Sequence, residues 1–358
     1  MSAPRIIEQI LDLARWAPSG DNVQTHRFEI LDEQHVRIHA SDTSAHCVYD
    51  LDGHASQIAF GALLESMAIA ASEHGWRMDF TRQQRAPEFD SELIFDVAFT
   101  PQPGLQPDPL IPSIAVRAVQ RRAMRTRPLS QAEKQEMEAA AGPGYRIRWL
   151  ETPGERWQAA RLMFHNAKLR LTMPEAFEVH RRIIHWGVTH SEDRVPDQAL
   201  GVDALTLRLM KWAMSSNWGR MATMNTLFGT WLPRLQMDLL PGLLCGAHFV
   251  LQARQPLRSI DDHVAAGRAV QRFWLTLTKL GLFMQPEMTP LIFARYIAEG
   301  RAFTREAAVQ ARAERLRPQA VELMGGENAN AVFIGRLGAG PAPAARAVRK
   351  PLAELMLR

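Results

Sequence analysis

The sequence predicts a mixed α+β fold rather than a doubly wound parallel sheet, with a hint of duplication within the chain. Three observations lead there. Strand-length apolar runs and long helical runs alternate irregularly, with no repeating βαβ rhythm. A stretch carrying five prolines, Pro101 to Pro112, divides the chain of 358 residues. Two apolar helical stretches, one on each side of it, are framed by glycines at equal spacing, Gly61 to Gly75 and Gly267 to Gly281. Between these glycines apolar residues correspond, as at Leu63 and Ala269, Met67 and Phe273, and Ala71 and Leu277.

Taken in order, Ile6, Ile7, Ile10, Leu11 and Ala14 are spaced for a helix over residues 5–16. It stops before Pro18, because the residue ahead of a proline resists helical geometry. Residues 27–31 and 36–39 alternate around a short polar turn, the pattern of a hairpin. Residues 56–74 read as a helix that is apolar on most sides and therefore buried. Residues 93–99 read as a strand. The proline-rich stretch is stiff and extended, and we expect it to link a first half, 1–100, to a second, 113–358. The second half opens with a helix over 114–123. Ser130 then caps another helix, with Glu133 at capping-box spacing, running to about 141. Residues 145–151 form a strand, and 155–235 a helical insert rich in Met and Trp. Residues 247–253 form a strand, 261–281 a long helix and 331–336 a last strand. Gly338 to Pro343 and the arginine-rich tail suggest an extended arm.

Composition restricts function. Hydrophobic residues make up 46% and charged residues 22%, as in a globular protein with a sizeable core. The formal net charge is only +4. The densest cation cluster, Arg121-Arg122-Ala123-Met124-Arg125-Thr126-Arg127, suits one phosphate group better than a polymer. Cys47 and Cys245 cannot make a disulfide framework or a thiolate zinc site. His180, His185 and His190 are five apart and do not stack on one helical face, so no metal is expected. The N-terminal stretch through Arg15 is charged throughout and lacks a signal-peptide core. The most apolar stretch, Leu239 to Leu251, is too short to span a bilayer. Cytoplasm is the expected compartment, without a nucleic-acid or membrane partner.

Three segments carry candidate chemistry. In Ala17-Pro18-Ser19-Gly20-Asp21-Asn22-Val23-Gln24, the Ser, Asn and Gln side chains offer donors and acceptors to the polar edge of a heteroaromatic ring. The same residue types also make an ordinary helix-to-strand turn. Arg121, Arg122 and Arg125 could grip a phosphate through their guanidinium forks, or form a solvated basic face. In Gly281-Leu282-Phe283-Met284-Gln285-Pro286-Glu287-Met288 a long helix ends and the chain turns, which could expose a backbone amide; a simple helix-ending glycine fits equally.

Together these segments resemble the nitroreductase superfamily of FMN proteins. Arg121, Arg122 and Arg125 match its Arg-Arg-Ser-x-Arg signature, with Ala123 in place of the serine. Ala17, Pro18, Ser19, Asn22, Gln24, Arg27 and Phe28 match a second signature, Ala-Pro-Ser-x-x-Asn-x-Gln-Pro-Trp-Arg-Phe, where Thr25 and His26 replace Pro-Trp. Gly281, Leu282 and Pro286 match a third, and Arg349-Lys350-Pro351-Leu352-Ala353-Glu354 resembles a C-terminal one. The resemblance implies a nitroreductase-like α+β fold, a mixed, largely antiparallel sheet flanked by helices and duplicated within the one chain, with FMN as cofactor and NAD(P)H as transient hydride donor for a small organic substrate. It implies that Pro18, Ser19, Gly20, Asn22 and Gln24 hold the ring and ribityl chain. Arg121, Arg122, Arg125 and Arg349 would hold the phosphate. Gln285, Pro286, Glu287 and Met288 would bring a backbone amide to the ring. No side chain is implied as catalytic, because the chemistry resides on the flavin.

The order of the signatures is reversed relative to an ordinary member, and each half lacks what the other retains. This is similar to the tandem Acg-like flavoproteins and implies a fused pseudo-dimer with one surviving site, either monomeric or forming a homodimer. A non-catalytic flavin-sequestering protein is the alternative function. The Met and Trp residues of the insert serve equally as core or as a lid over the flavin.

Overall fold

The computed structural model describes residues 5–84, 91–327 and 329–357. Helix α1 (Ile6–Ala14) leads into the hairpin of β1 (His26–Ile30) and β2 (His35–Ser41). Helix α2 (His54–Ser72) follows, then β3 (Trp76–Arg82) and β4 (Glu92–Pro101). The four strands form an antiparallel sheet in the order β1-β2-β4-β3. After the proline-rich stretch come α3 (Ile111–Val116), a long extended segment, α4 (Gln131–Ala141) and β5 (Tyr145–Leu150).

The insert comprises α5 (Pro153–Leu171), α6 (Pro174–Ile183), α7 (Ala204–Met214), α8 (Trp218–Phe228), α9 (Trp231–Arg234) and α10 (Leu240–Leu243). Between α6 and α7 lie the two-residue strands β6 (Ile184–His185), β7 (His190–Ser191) and β8 (Val195–Pro196). The chain resumes with β9 (Ala247–Ala253), α11 (Ile260–Lys279), β10 (Leu282–Pro286), α12 (Thr289–Ala298), α13 (Ala307–Met324) and β11 (Ala331–Ala339). The C-terminal arm holds β12 (Arg346–Ala347) and α14 (Leu352–Leu355). The second antiparallel sheet has the order β10-β11-β9-β5. With the insertions set aside, both sheets have one connectivity: a helix, two strands, a long helix, then two strands that reverse in spatial order.

Helices α2 and α11 pack against each other between the sheets. Helix α2 is apolar on most sides, whereas α11 is amphipathic and turns Val264, Gly267, Phe273 and Leu277 inward and Arg268 and Arg272 outward; most of both helices is buried. By length and composition α2 could cross a membrane, but most of it is buried inside the protein. The two helices meet through glycines. A Cβ on Gly61 would lie 2.0 Å from the Val264 carbonyl oxygen, and one on Gly267 would lie 2.1 Å from that of Ile58. Beside them, Arg272 Nη1 donates to Glu65 Oε1 (2.9 Å) and Gln271 Nε2 donates to Ser66 Oγ (2.8 Å). One sequence offset relates Ile58 to Val264, Gly61 to Gly267, Glu65 to Gln271 and Ser66 to Arg272. Each contact therefore has a counterpart with the helices exchanged, the pattern of a two-fold interface. The arm returns to the first sheet, where Met356 bridges to Phe28 and the Leu357 amide donates to the Phe28 carbonyl.

The structure departs from the sequence reading at several elements. The helix expected over 114–123 is α3, which ends at Val116, and the arginine segment behind it is extended. Strand β3, beyond the strands read from the sequence, alternates Trp76, Met78 and Phe80 with Arg77, Asp79 and Thr81, a pattern legible in the sequence itself. The supposed turn after Gly281 is strand β10, paired with β11 from Leu282 to Pro286. Helices α12 and α13 were also missed.

Candidate functional site

The loop between α1 and β1 is held in an uncommon conformation. Asp21, Asn22 and Gln24 have left-handed φ values of +51°, +64° and +48°. Such residues cost about 1–3 kcal/mol each and persist only where their surroundings fix them. The fixing groups come from remote segments. Asn22 Nδ2 donates to the Ser191 and Arg194 carbonyls (3.3 and 3.1 Å), and Asn22 Oδ1 accepts from Arg349 Nη1 (2.8 Å). Gln24 Nε2 donates to the Glu192 carbonyl (2.7 Å), and Gln24 Oε1 accepts from the Lys350 amide (3.1 Å). Arg349 Nε also donates to the Ala17 carbonyl (3.0 Å).

This loop forms one wall of a cavity of about 520 Å³, a volume typical of small-molecule sites. Pro18, Ser19, Gly20 and Asp21 line it from the loop, and Ala59 and Leu63 from α2. Val270 and Trp274 of α11, with Gln285 and Pro286 of β10 and Met288 beyond it, form the facing wall. The insert covers it with Met210, Met214, Trp218, Met221 and Met237. Five polar atoms of the lining residues are buried without a hydrogen-bond partner among the described residues: Ser19 Oγ, His26 Nε2, Arg170 Nε, Trp274 Nε1 and Gln285 Oε1. Buried polar atoms are nearly always paired, so five around one cavity make it the candidate binding site for a polar-edged ligand. The Arg117 guanidinium lies 4.4 Å from the centre of the Trp274 ring and donates through Nη2 to the Trp16 carbonyl (3.0 Å).

The cavity's charges are opposed, Asp21, Asp50 and Asp238 against Arg121, Arg170 and Arg182. Burial pushes the Asp21 carboxyl up to about 6, against the pull of Arg121 and with a smaller push from Asp50. Burial lowers Arg121 to about 10, partly offset by Asp21, so it stays charged at neutral pH. Its side chain makes one long bond, Nη1 to the Ala199 carbonyl at 3.4 Å. Burial and the charges of Arg27 and Arg349 lower His26 to about 3, so its imidazole is neutral. Burial and Arg170 likewise lower His180 to about 3, and the Tyr49 hydroxyl bonds its Nε2 at 2.9 Å. Arg170 Nη2 pairs with Asp238 Oδ1 at 2.8 Å. A second, open groove of about 900 Å³ adjoins the cavity, shares Val119 and Arg121 with it, and is lined by Arg122, Arg208 and Lys211.

The candidate residues therefore divide. Pro18, Ser19, Gly20, Arg121, Gln285, Pro286 and Met288 line the cavity, and Arg122 lines the adjoining groove. The others lie elsewhere, each for a physical reason. Asn22, Gln24 and Arg349 are buried outside the lining, with their polar groups spent on the loop and the arm. Arg125 is exposed and outside both cavities; its amide pairs with the Ala339 carbonyl. Glu287 is buried behind the wall and its amide donates to the Ile334 carbonyl, so that amide is not offered to a ligand.

Glu287 instead centres a buried ionic chain. It accepts from His248 Nδ1 (2.8 Å) and Arg336 Nη1 (2.6 Å); His248 Nε2 bonds the Gly242 carbonyl (2.8 Å) and Arg336 Nη2 the Arg121 carbonyl (2.8 Å). Burial alone would lower His248, but Glu287 reverses this and raises it to about 10. This chain fixes the backbone that presents Arg121. The reading also missed Asp21, His26, Tyr49, His180 and Trp274. Asp21 and His26 lie in a segment already singled out, while Trp274 looks like any core residue of an apolar helix.

No protein-family model matches the chain, and no curated protein matches it. Among solved structures it is similar to a nitroreductase-like family protein from Bacillus cereus, at 12% identity over 70% of this chain and 96% of that one, with a TM-score of 0.35. It is also similar to the FMN-dependent nitroreductase NfnB from Mycobacterium smegmatis in complex with NADPH, at 15% identity over 68% of this chain and 94% of that one, with a TM-score of 0.34. Both are nitroreductase-like proteins. At these values the likeness assigns neither a residue role nor an activity to this chain.

Proposed function

We propose that the chain is an FMN-dependent oxidoreductase of nitroreductase type, acting in the cytoplasm on a small organic substrate with NAD(P)H as donor. The observation that carries this reading is the set of unpaired polar atoms on one largely apolar cavity. A flavin ring needs that combination: apolar faces and an edge of alternating donors and acceptors. Ser19 Oγ, Trp274 Nε1 and Gln285 Oε1 are suited to that edge. Arg121, at the junction with the groove, is suited to the phosphate, with Arg122 beside the mouth. The Met and Trp side chains of the insert exclude water from the ring. The chemistry the flavin supplies when bound is reversible hydride uptake, for which the protein provides binding and orientation.

We further infer a fused pseudo-dimer with one site. Equal strand connectivity in the two sheets and the exchange-related contacts of α2 and α11 support it. The cavity draws Ser19 from the first half and Arg121, Trp274 and Gln285 from the second. A flavin-sequestering role is the second reading, favoured by the cover that the insert places over the cavity. Bleaching of the bound flavin by NAD(P)H within seconds under anaerobic conditions would exclude it.

Tryptophan emission tests the binding reading, because Trp218 and Trp274 line the cavity. FMN should quench emission saturably, Trp274→Phe should reduce the amplitude, and riboflavin, lacking the phosphate, should bind at least roughly tenfold more weakly. Absence of saturable quenching by FMN contradicts the proposal.

A further inference from the structure

The insert has a second face that the cavity does not use. Nine of the fourteen large hydrophobic side chains exposed among the described residues lie between Leu205 and Leu244. Leu205, Leu209 and Trp212 follow i, i+4, i+7 along one face of α7, while Thr206, Ala213 and Met214 of the opposite face are buried. At the α8–α9 junction Leu227, Phe228 and Trp231 are 70%, 74% and 67% exposed, and α8 has no buried residue at all. Exposed apolar side chains concentrated in this way mark an interaction surface.

The charge pattern selects the partner. On α7 and α8 the charges are Arg208, Lys211 and Arg220, with no carboxylate between Asp203, which caps α7, and Asp238, which pairs with Arg170; Arg234 is buried on the Phe164 carbonyl and takes no part in this face. Arg208 and Lys211 are exposed beside the apolar stripe of α7 and line the adjoining groove. We propose that the outer face of α7–α9 docks on an anionic lipid surface, with Leu, Phe and Trp side chains in the interface and Arg208 and Lys211 on lipid phosphates. Leu, Phe and Trp with Lys and Arg at their flank is the composition of helices that lie in a membrane interface. A second copy of the chain would bring like charges together across a two-fold contact, and a nucleic acid would not call for exposed Leu and Phe. Docking needs no spanning segment, so the expectation of no membrane partner, which rested on the absence of one, does not extend to this face. It would also set the Met-lined cover of the cavity against the lipid.

Flotation of the full-length protein with vesicles tests this. The protein should float with phosphatidylcholine–phosphatidylglycerol vesicles and not with phosphatidylcholine alone, and high salt should weaken binding. Arg208→Glu with Lys211→Glu should reduce binding roughly tenfold or more, and Trp212→Ser with Phe228→Ser and Trp231→Ser should abolish it. Circular dichroism verifies that the variants are folded. Flotation equal on both vesicle types, no flotation, or charge-reversed protein that floats like the parent would overturn the proposal. So would a dimer in solution that dissociates in the Trp231→Ser variant, which would assign the face to a second copy. Flavin absorbance of the same samples is read separately, so a failure of docking is distinguishable from a failure of the flavin reading.

Discussion

At Asp21 a left-handed backbone, a cavity wall and an opposed arginine coincide. An acid whose folded pKa is raised is disfavoured in its ionised form. The cost starts as pH passes the unfolded value of about 3.9, grows until about 6, and is constant above that. Asp21→Asn should therefore stabilise the flavin-free protein by about 1–2 kcal/mol at pH 7–8, allowing for partial exposure, with no difference near pH 4. Denaturant midpoints at the two pH values test this; an equal shift at both would contradict it. Ser19→Ala removes a hydroxyl with no protein partner, so FMN affinity should fall roughly fivefold to tenfold while stability stays within about 0.5 kcal/mol. The arginines should separate likewise. Arg121→Ala should weaken FMN binding far more than Arg125→Ala, which removes an exposed side chain outside the cavity.

Among elements, the crossing of α2 and α11 is the tightest contact. Gly267→Ala drives a methyl into the Ile58 carbonyl, and neither helix backbone can yield without moving a sheet. A cost of about 3 kcal/mol, the upper end for overpacking, is expected in chemical denaturation. Beneath β10, Glu287→Gln would leave His248 and Arg336 without their carboxylate, at a cost of about 3–5 kcal/mol. A raised imidazolium contributes fully below its unfolded pKa of about 6.5 and loses that contribution as pH rises through about 10. The parent should thus lose stability between pH 7 and pH 10 more steeply than the variant; parallel profiles would count against the ionic chain. Elements with a strong period were legible in the sequence, as at α2, β9, α11 and the capped start of α4. The missed ones had their signals masked. Strand β10 follows directly on Gly281 and ends in Pro286, which reads as a turn. Helix α13 mixes charged residues with alanines and contains Pro318.

For the whole molecule, the Ala17–Gln24 segment and the arginine segment were visible as candidates, but how the fold uses them was not. The partners of Asn22 and Gln24, including Arg194, Glu192 and Lys350, lie more than a hundred residues away, and no local pattern announces such bonds. The same holds for the arm, which crosses to the first sheet and places Arg349 beneath the loop, bonded to the Ala17 carbonyl and Asn22. The central claim is that two halves of like connectivity enclose one flavin site. The most direct test is flavin stoichiometry on the full chain saturated with FMN and freed of excess, from visible absorbance against protein concentration, with the released chromophore identified chromatographically. The account predicts one FMN per chain. No retained flavin would contradict the cavity assignment, and two per chain would contradict the single-site pseudo-dimer.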